Sequence, residues 1–227
     1  MPTDFEKPEY WQNRFAKETS FEWLFPSSTV IEIIAPYLDA LVNSGTSSSS
    51  PTPRILHLGS GTSDLHNHLR SRGFERVTNV DYAPLALERG REHERARFGD
   101  VKMRYCVADV TNLKVELADE EEAAGNAGAG YYDVVLDKCT ADAVACGGDD
   151  ALRAMAKNVS RWLRRGAAGR EEDGFWISVS YSSSRFEDIR DLFDVEVIHK
   201  IPTAKAKPTD PDVFHYCYLL KPKRAGG

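Results

Sequence analysis

Cysteine is scarce in this chain: four in 227 residues, Cys106, Cys139, Cys146 and Cys217, with no C-x-x-C pair among them. A disulfide framework or a thiolate metal site needs denser and closer spacing, so reduced thiols are expected. Long apolar runs are missing as well, none approaching the roughly 20 residues that span a bilayer. Residues Met1 to Glu6 have neither the basic region nor the apolar core of a secretory signal. A cytoplasmic address without a membrane partner is the expectation. Basic charge is not in excess: the formal net charge is −6, a poor match to nucleic acid and a better one to a basic polypeptide or a neutral small molecule. His66 and His68 stand two apart, on different faces of any helix, so no metal is expected there. What is present, 41% hydrophobic and 28% charged residues, suits one globular domain over 1–227 with a sizeable core.

The informative stretch is Arg54-Ile55-Leu56-His57-Leu58-Gly59-Ser60-Gly61-Thr62-Ser63-Asp64-Leu65. An apolar, β-prone run gives way to two glycines and then to helix-capping residues, an order that predicts buried strand, tight turn and helix start. Glycine lets a ligand lie against the backbone, and the first N–H groups of the helix point at whatever fills the turn. A Gly-x-Gly alone is weak evidence. However, Val77 to Val80 form a second β-prone segment ending in Asp81, 20 residues beyond Gly61 (81 − 61), where an acid can accept hydrogen bonds from a ribose diol. A dinucleotide fingerprint would place a third glycine at position 64, at the pyrophosphate; the chain has Asp64, whose charge opposes a pyrophosphate but suits an ammonium and a sulfonium. The residues thus point to S-adenosylmethionine and to methyl transfer.

Around this stretch, residues 1–26 form an arm dense in aromatics, with Trp11, Phe15 and Trp23 among them. It is either pinned to the core by aromatic burial or folded over the cofactor as a lid. Ser27 and Ser28 precede an amphipathic helix over 30–42 that contains Pro36, and Ser44 to Pro53 reads as a loop. Helices are expected over 65–72, stopped by Gly73, and over 85–98, begun by Pro84, the latter with charges on a solvated face. A third strand, 103–108, ends in Asp109, which can accept from an adenine amino group. Residues 118–130 are acidic and then Gly/Ala-rich, an insertion without expected chemistry. The apolar run 132–136 reads as a strand buried on both faces. Asp149 is expected to cap a helix ended by Gly166, whose Leu152, Met155, Val159 and Trp162 form a core stripe. A strand over 175–180, a short helix over 185–193 and strands over 195–201 and 213–220 follow; the prolines between the last two leave no room for a crossover helix, so these pair antiparallel. The whole describes an α/β protein, a Rossmann-like doubly wound sheet of seven strands, mostly parallel with an antiparallel C-terminal pair.

The motifs Leu56-His57-Leu58-Gly59-Ser60-Gly61, Val80-Asp81-Tyr82 and Ala108-Asp109-Val110 resemble those of class I S-adenosylmethionine-dependent methyltransferases. More narrowly, Tyr10-Trp11-x-x-Arg14-Phe15 with Phe21-Glu22-Trp23, and Asp133-Val134-Val135-Leu136-Asp137-Lys138-Cys139-Thr140-Ala141-Asp142-Ala143, resemble the branch containing the lysine methyltransferases of translation elongation factor one alpha. That resemblance implies that Trp11, Phe15 and Trp23 enclose the cofactor, that Gly59 lies under its methionine moiety within the Gly59-Ser60-Gly61 turn, and that Asp81 and Tyr82 contact ribose. It further implies that Asp109 and Val110 contact adenine and that Lys138 stands near the methionine end. The chain departs from the branch at Ser60 for Cys, Phe15 for Tyr, and Cys139 and Ala141 for Gly and Leu; the last two border the acceptor pocket.

A sulfonium is already an activated leaving group, so the protein's main task is to align acceptor, methyl and sulfur in a site that excludes water. A lysine acceptor must first lose a proton, for which Asp137 and Asp142 are the candidate acceptor-side carboxylates; their other reading is a strand-end turn residue and a helix-start cap. The expected activity is methylation of a lysine on a cytosolic protein, with a small-molecule N-, O- or S-acceptor and a non-catalytic cofactor-binding scaffold as alternatives.

Overall fold

The computed structural model describes residues 4–43, 52–113, 132–166 and 173–224. The insertion expected at 118–130 and most of the loop at 44–53 lie outside the described residues.

After an N-terminal helix, α1 (Pro8–Phe15), and the long α2 (Ser27–Asn43), which runs on through Pro36, strands and helices alternate. They are β1 (Ile55–Leu58), α3 (Leu65–Ser71), β2 (Val77–Asp81), α4 (Pro84–Phe98), β3 (Arg104–Val107), β4 (Val134–Lys138), the short α5 (Thr140–Val144), α6 (Asp149–Trp162) and β5 (Phe175–Ser180). β6 (Phe193–Pro202) and β7 (Phe214–Pro222) close the chain. The seven strands form one sheet in the order β3-β2-β1-β4-β5-β7-β6, parallel from β3 to β5, with β7 antiparallel to both β5 and β6.

The sheet is covered on both faces, so every residue of β1 and β4 is buried, including His57, Asp137 and Lys138. Successive side chains of β4 alternate: Val134 and Leu136 pack with Ile34 and Leu38 of α2, whereas Val135 packs with Met155 and Val159 of α6. Chain order reverses between β1 and β4, since β1 pairs with β2 on one side and with β4 on the other. At such a switch point the carboxyl ends of the strands frame a crevice.

Three local expectations are revised. The helix expected over 185–193 is only a 3-10 turn at Glu187–Ile189, because Phe193, fully buried against Trp176, already belongs to β6. The helix begun at Asp149 takes Gly148 as its N-cap and stops at Trp162, not Gly166: Leu163 turns extended and bridges Tyr132. The charged face of α4 is not wholly solvated. Glu94 is fully buried and accepts from Arg70 Nη1 at 2.6 Å, from the backbone N–H groups of Lys102 and Met103, and from the Tyr105 hydroxyl at 2.9 Å. Sequence periodicity cannot see such a partner, which comes from α3 and β3.

Candidate active site

β1 ends at Leu58 and the chain turns at once through Gly59 and Gly61, both at positive φ (56° and 53°), where an L side chain is strained. Gly59 is needed for space as well. A Cβ there would lie 2.2 Å from Oγ1 of Thr140, the first residue of α5, whose hydroxyl donates to the Leu58 carbonyl at 2.9 Å. The turn is held from the other side by Asp81 at the tip of β2: its carboxylate accepts from Gly61 N–H and from Ala83 N–H, each at 2.9 Å. Burial pushes this carboxyl up to about 6 against the pull of those backbone donors. Each carboxylate oxygen has two lone pairs, so acceptor capacity is left on the cavity side.

Above the turn lies a cavity of about 300 Å³, and beside it a second of about 160 Å³; Phe5, Gly59, Asp81, Tyr82 and Thr140 line both. The larger brings together Trp11, Phe15 and Trp23 of the arm with Gly59, Ser60, Gly61, Asp81, Tyr82, Lys138 and Asp142. The smaller adds Asp109 and Val110. Every residue that the resemblance puts at the cofactor therefore lines one of these two cavities. Asp109 is partly engaged, accepting from the backbone and hydroxyl of Thr111 at 2.8 and 2.7 Å.

The arm is folded onto the cavity by side-chain chemistry. Trp11 Nε1 donates to the Phe5 carbonyl at 2.7 Å, and the Tyr82 hydroxyl reaches the same oxygen at 3.3 Å. Trp11 meets Phe15 and Trp23 ring to ring at 5.7 and 5.8 Å, and the Arg14 guanidinium lies 4.1 Å from the Phe21 ring centre. Glu22 bonds the Lys138 ammonium and accepts from the Asp64 N–H at 3.1 Å, tying arm, β4 and glycine turn together. The rings that bury the arm are also part of the cavity wall.

Three expectations change here. Asp64 is not beside the ligand: its carboxylate faces Asn67 at 2.6 Å and Arg97 at 2.8 Å, and it lines neither cavity. Asp137 lines neither cavity either. It is buried, its oxygens taken by Trp176 Nε1 at 2.7 Å and Ala141 N–H at 3.1 Å, and burial raises its carboxyl to about 6. Asp137 thus caps the first turn of α5 from the strand end, the role weighed for Asp142. Asp142 does reach the larger cavity but is not a free base: Ser180 Oγ at 2.5 Å, Tyr181 N–H at 3.0 Å and Arg185 Nε at 2.8 Å bind it. Burial raises its carboxyl, and those partners oppose the rise.

Sequence reasoning missed Phe5, Phe21, Leu24, Thr140, Cys146 and Tyr181, which also line the larger cavity. Tyr181 follows β5 directly and was findable by the rule that strand carboxyl ends frame the site. Phe5 carries no such signal. Cys139 and Ala143 line the larger cavity as well; burial pushes the Cys139 and Cys146 thiols up, leaving them protonated near neutrality. Among the described residues, no group of three His, Cys, Asp or Glu side chains is placed to hold a metal ion, and no helix is long and apolar enough to cross a membrane.

Comparison with known proteins matches residues 56–168 to a family described as a methyltransferase domain. Methyltransferase srdJ of Neurospora crassa is 52% identical over 223 residues, covering 98% of this chain and 86% of that protein. EEF1A lysine methyltransferase 4 of Mus musculus is 29% identical over 158 residues, of which this chain spans 52% of its length. The Drosophila melanogaster eEF1A lysine and N-terminal methyltransferase homolog is 28% identical over 165 residues, spanning 21% of its length. Among solved structures, the N-methyltransferase NodS from Bradyrhizobium japonicum, in complex with S-adenosyl-L-homocysteine, superposes with a TM-score of 0.55 at 12% identity, covering 94% of this chain and 99% of that one. Magnesium protoporphyrin IX methyltransferase from Synechocystis, with bound cofactor, gives 0.54 at 12% identity over 96% and 93%. At that identity the structures speak for the fold alone.

Proposed function

Since this chain belongs to the S-adenosylmethionine-dependent methyltransferases of class I, we propose that its acceptor is an uncharged, largely apolar small molecule presenting an O, N or S lone pair. The observation that carries this reading is the state of the carboxylates. A lysine acceptor arrives as an ammonium and needs a group to attract or deprotonate it. Of the two candidates, Asp137 lines no cavity, and Asp142 is already neutralised by Arg185 and bonded by Ser180 and Tyr181. The cavity that Asp142 reaches is also lined by Leu24, Cys139, Ala143, Cys146 and Tyr181, with Lys138 and Thr140 as further polar members.

The residues present suit the cofactor. Asp81 offers an anionic acceptor for the ribose hydroxyls, Asp109 and Val110 flank the adenine side, and Trp11, Phe15 and Trp23 wall the remainder. When bound, S-adenosylmethionine supplies a methyl group on a sulfonium already activated by its charge. The chain contributes position and dryness: aromatic rings exclude water, Gly59 allows close approach, and Leu24 with Tyr181 narrows the acceptor's entry.

A second reading, lysine methylation, is favoured by the similarity to relatives named as lysine methyltransferases. Tritiated-methyl transfer into a cell extract, resolved into protein and metabolite fractions, separates the two. Label in metabolites is the expected result; label confined to one protein band would overturn the small-molecule reading. Asp142→Asn gives an independent check. It should leave S-adenosylhomocysteine affinity unchanged by calorimetry while lowering stability by about 2 kcal/mol in urea titration, because Arg185 loses its counter-charge in a half-buried setting.

A further inference from the structure

One ion pair stands at the junction of arm and cavity and is not needed to explain the fold of the sheet. Lys138, at the end of β4, has a side chain only 4% exposed. Its ammonium bonds the Glu22 carboxylate and donates to the Phe25 carbonyl at 3.2 Å. The same lysine therefore holds both ends of Glu22-Trp23-Leu24-Phe25. Between those ends the backbone folds back on itself: Phe25 N–H donates to the Trp23 carbonyl at 2.8 Å, and Leu24 sits at φ 64°. An i→i+2 bond about a positive-φ residue is a γ-turn of the rarer, strained hand, and a leucine there persists only where its surroundings hold it. The turn sets Trp23 and Leu24 on the wall of the larger cavity, which Lys138 also lines.

Glu22 is the other half of the device. Besides Lys138, it accepts from the N–H of Asp64, the residue just before α3, and it has Ser27 as a third partner. Burial pushes its carboxyl up, yet these three partners outweigh burial and hold it below its ordinary value, so Glu22 is ionised near neutrality. An ammonium has three donors. Two of those on Lys138 are spent on Glu22 and Phe25, which leaves one donor on a residue that lines the larger cavity.

We infer that Glu22 and Lys138 form a latch that couples closure of the aromatic arm to the α-amino-acid end of the cofactor, the remaining Lys138 donor taking the ligand's carboxylate while Glu22 holds the lysine and the arm in register. Glu22 is thus a positioning residue, acting through Lys138. This inference rests on the assignment of the cavity to S-adenosylmethionine and goes beyond it in one respect: it makes the latch selective. Adenosine thioethers with the amino-acid chain engage it, and those without it do not.

The test compares two ligands, S-adenosylhomocysteine and 5′-methylthioadenosine, which share the nucleoside and the thioether but differ in the amino-acid chain. Calorimetry is done on the full chain, on Glu22→Gln and on Lys138→Met, with circular dichroism to confirm that each variant is folded. Each variant should weaken S-adenosylhomocysteine about tenfold, the loss of roughly one charge-assisted hydrogen bond, and the double variant should lose no more than either single one. Affinity for 5′-methylthioadenosine should fall much less, since only the ring contacts of the loosened arm are lost to it. Equal weakening of both ligands would reduce Glu22 to a structural role and overturn the inference, as would unaltered binding of both. If the unmodified protein binds neither ligand, the cofactor assignment itself falls, and that failure shows before any variant is made.

Discussion

Gly59→Ala is expected to be among the most damaging single substitutions in the chain. The added Cβ meets Thr140 Oγ1 at 2.2 Å, and φ at this position is 56°. Left-handed backbone costs an alanine about 1 kcal/mol or more, and overpacking a closed site adds about 1–3 kcal/mol. Thr140 cannot simply rotate away without giving up its bond to the Leu58 carbonyl. A loss of about 3 kcal/mol in urea titration, together with loss of measurable S-adenosylhomocysteine binding, is the expected result. Combining Gly59→Ala with Thr140→Gly removes the collision but also the bond to the Leu58 carbonyl, and puts a glycine at the start of α5, so only part of the stability should return. A Gly59→Ala protein of unaltered stability would show that the turn is not built as described.

Asp81→Ala is expected to weaken S-adenosylhomocysteine binding about 100-fold, the equivalent of roughly 3 kcal/mol for two hydrogen bonds from ribose hydroxyls to an anion. The pH dependence gives a sharper check. In the free protein burial raises this carboxyl to about 6, whereas hydroxyl donors favour the ionised form. Affinity should be flat above that value and fall about tenfold per pH unit below it, a slope absent in Asp81→Ala. A pH-independent affinity between pH 5 and about 7 would count against Asp81 as the ribose acceptor.

Binding is a better readout than melting temperature here, because the stability contributions oppose one another. Asp81 has a folded value raised above its unfolded one, so its contribution is fully present below the unfolded value near 3.8 and is lost as pH rises through about 6. Asp137 behaves in the same way. His57 and His66, pushed down to about 4 by burial, contribute stability above 6.5 that is lost as pH falls through about 4.

Local signals carried much of the site. A branched apolar run followed by two glycines, and a second β-prone run ending in an acid, specify strand, turn and strand-end acid because each depends only on neighbours in the chain. The aromatic arm was visible by density alone. The argument from Asp64 reached the right cofactor through a contact that does not exist: the carboxylate turns away to Arg97, on a helix 33 residues onward (97 − 64), which no local pattern reveals. Asp137 and Asp142 were correctly placed at the sheet edge. What their oxygens bond to depends on Trp176, Ser180 and Arg185, all brought in by β5 and the segment after it.

Hydrophobic period, glycine position and strand-end acids determined the fold class and pointed to a nucleoside at the carboxyl edge of the sheet, since these are properties of short stretches read against a repeating backbone. The tertiary structure alone decided which carboxylates remain free, which lysine clamps the arm and what lines the acceptor's entry. The reason is physical: a charged side chain's role is set by the partner it finds in low dielectric, and that partner comes from a distant part of the chain.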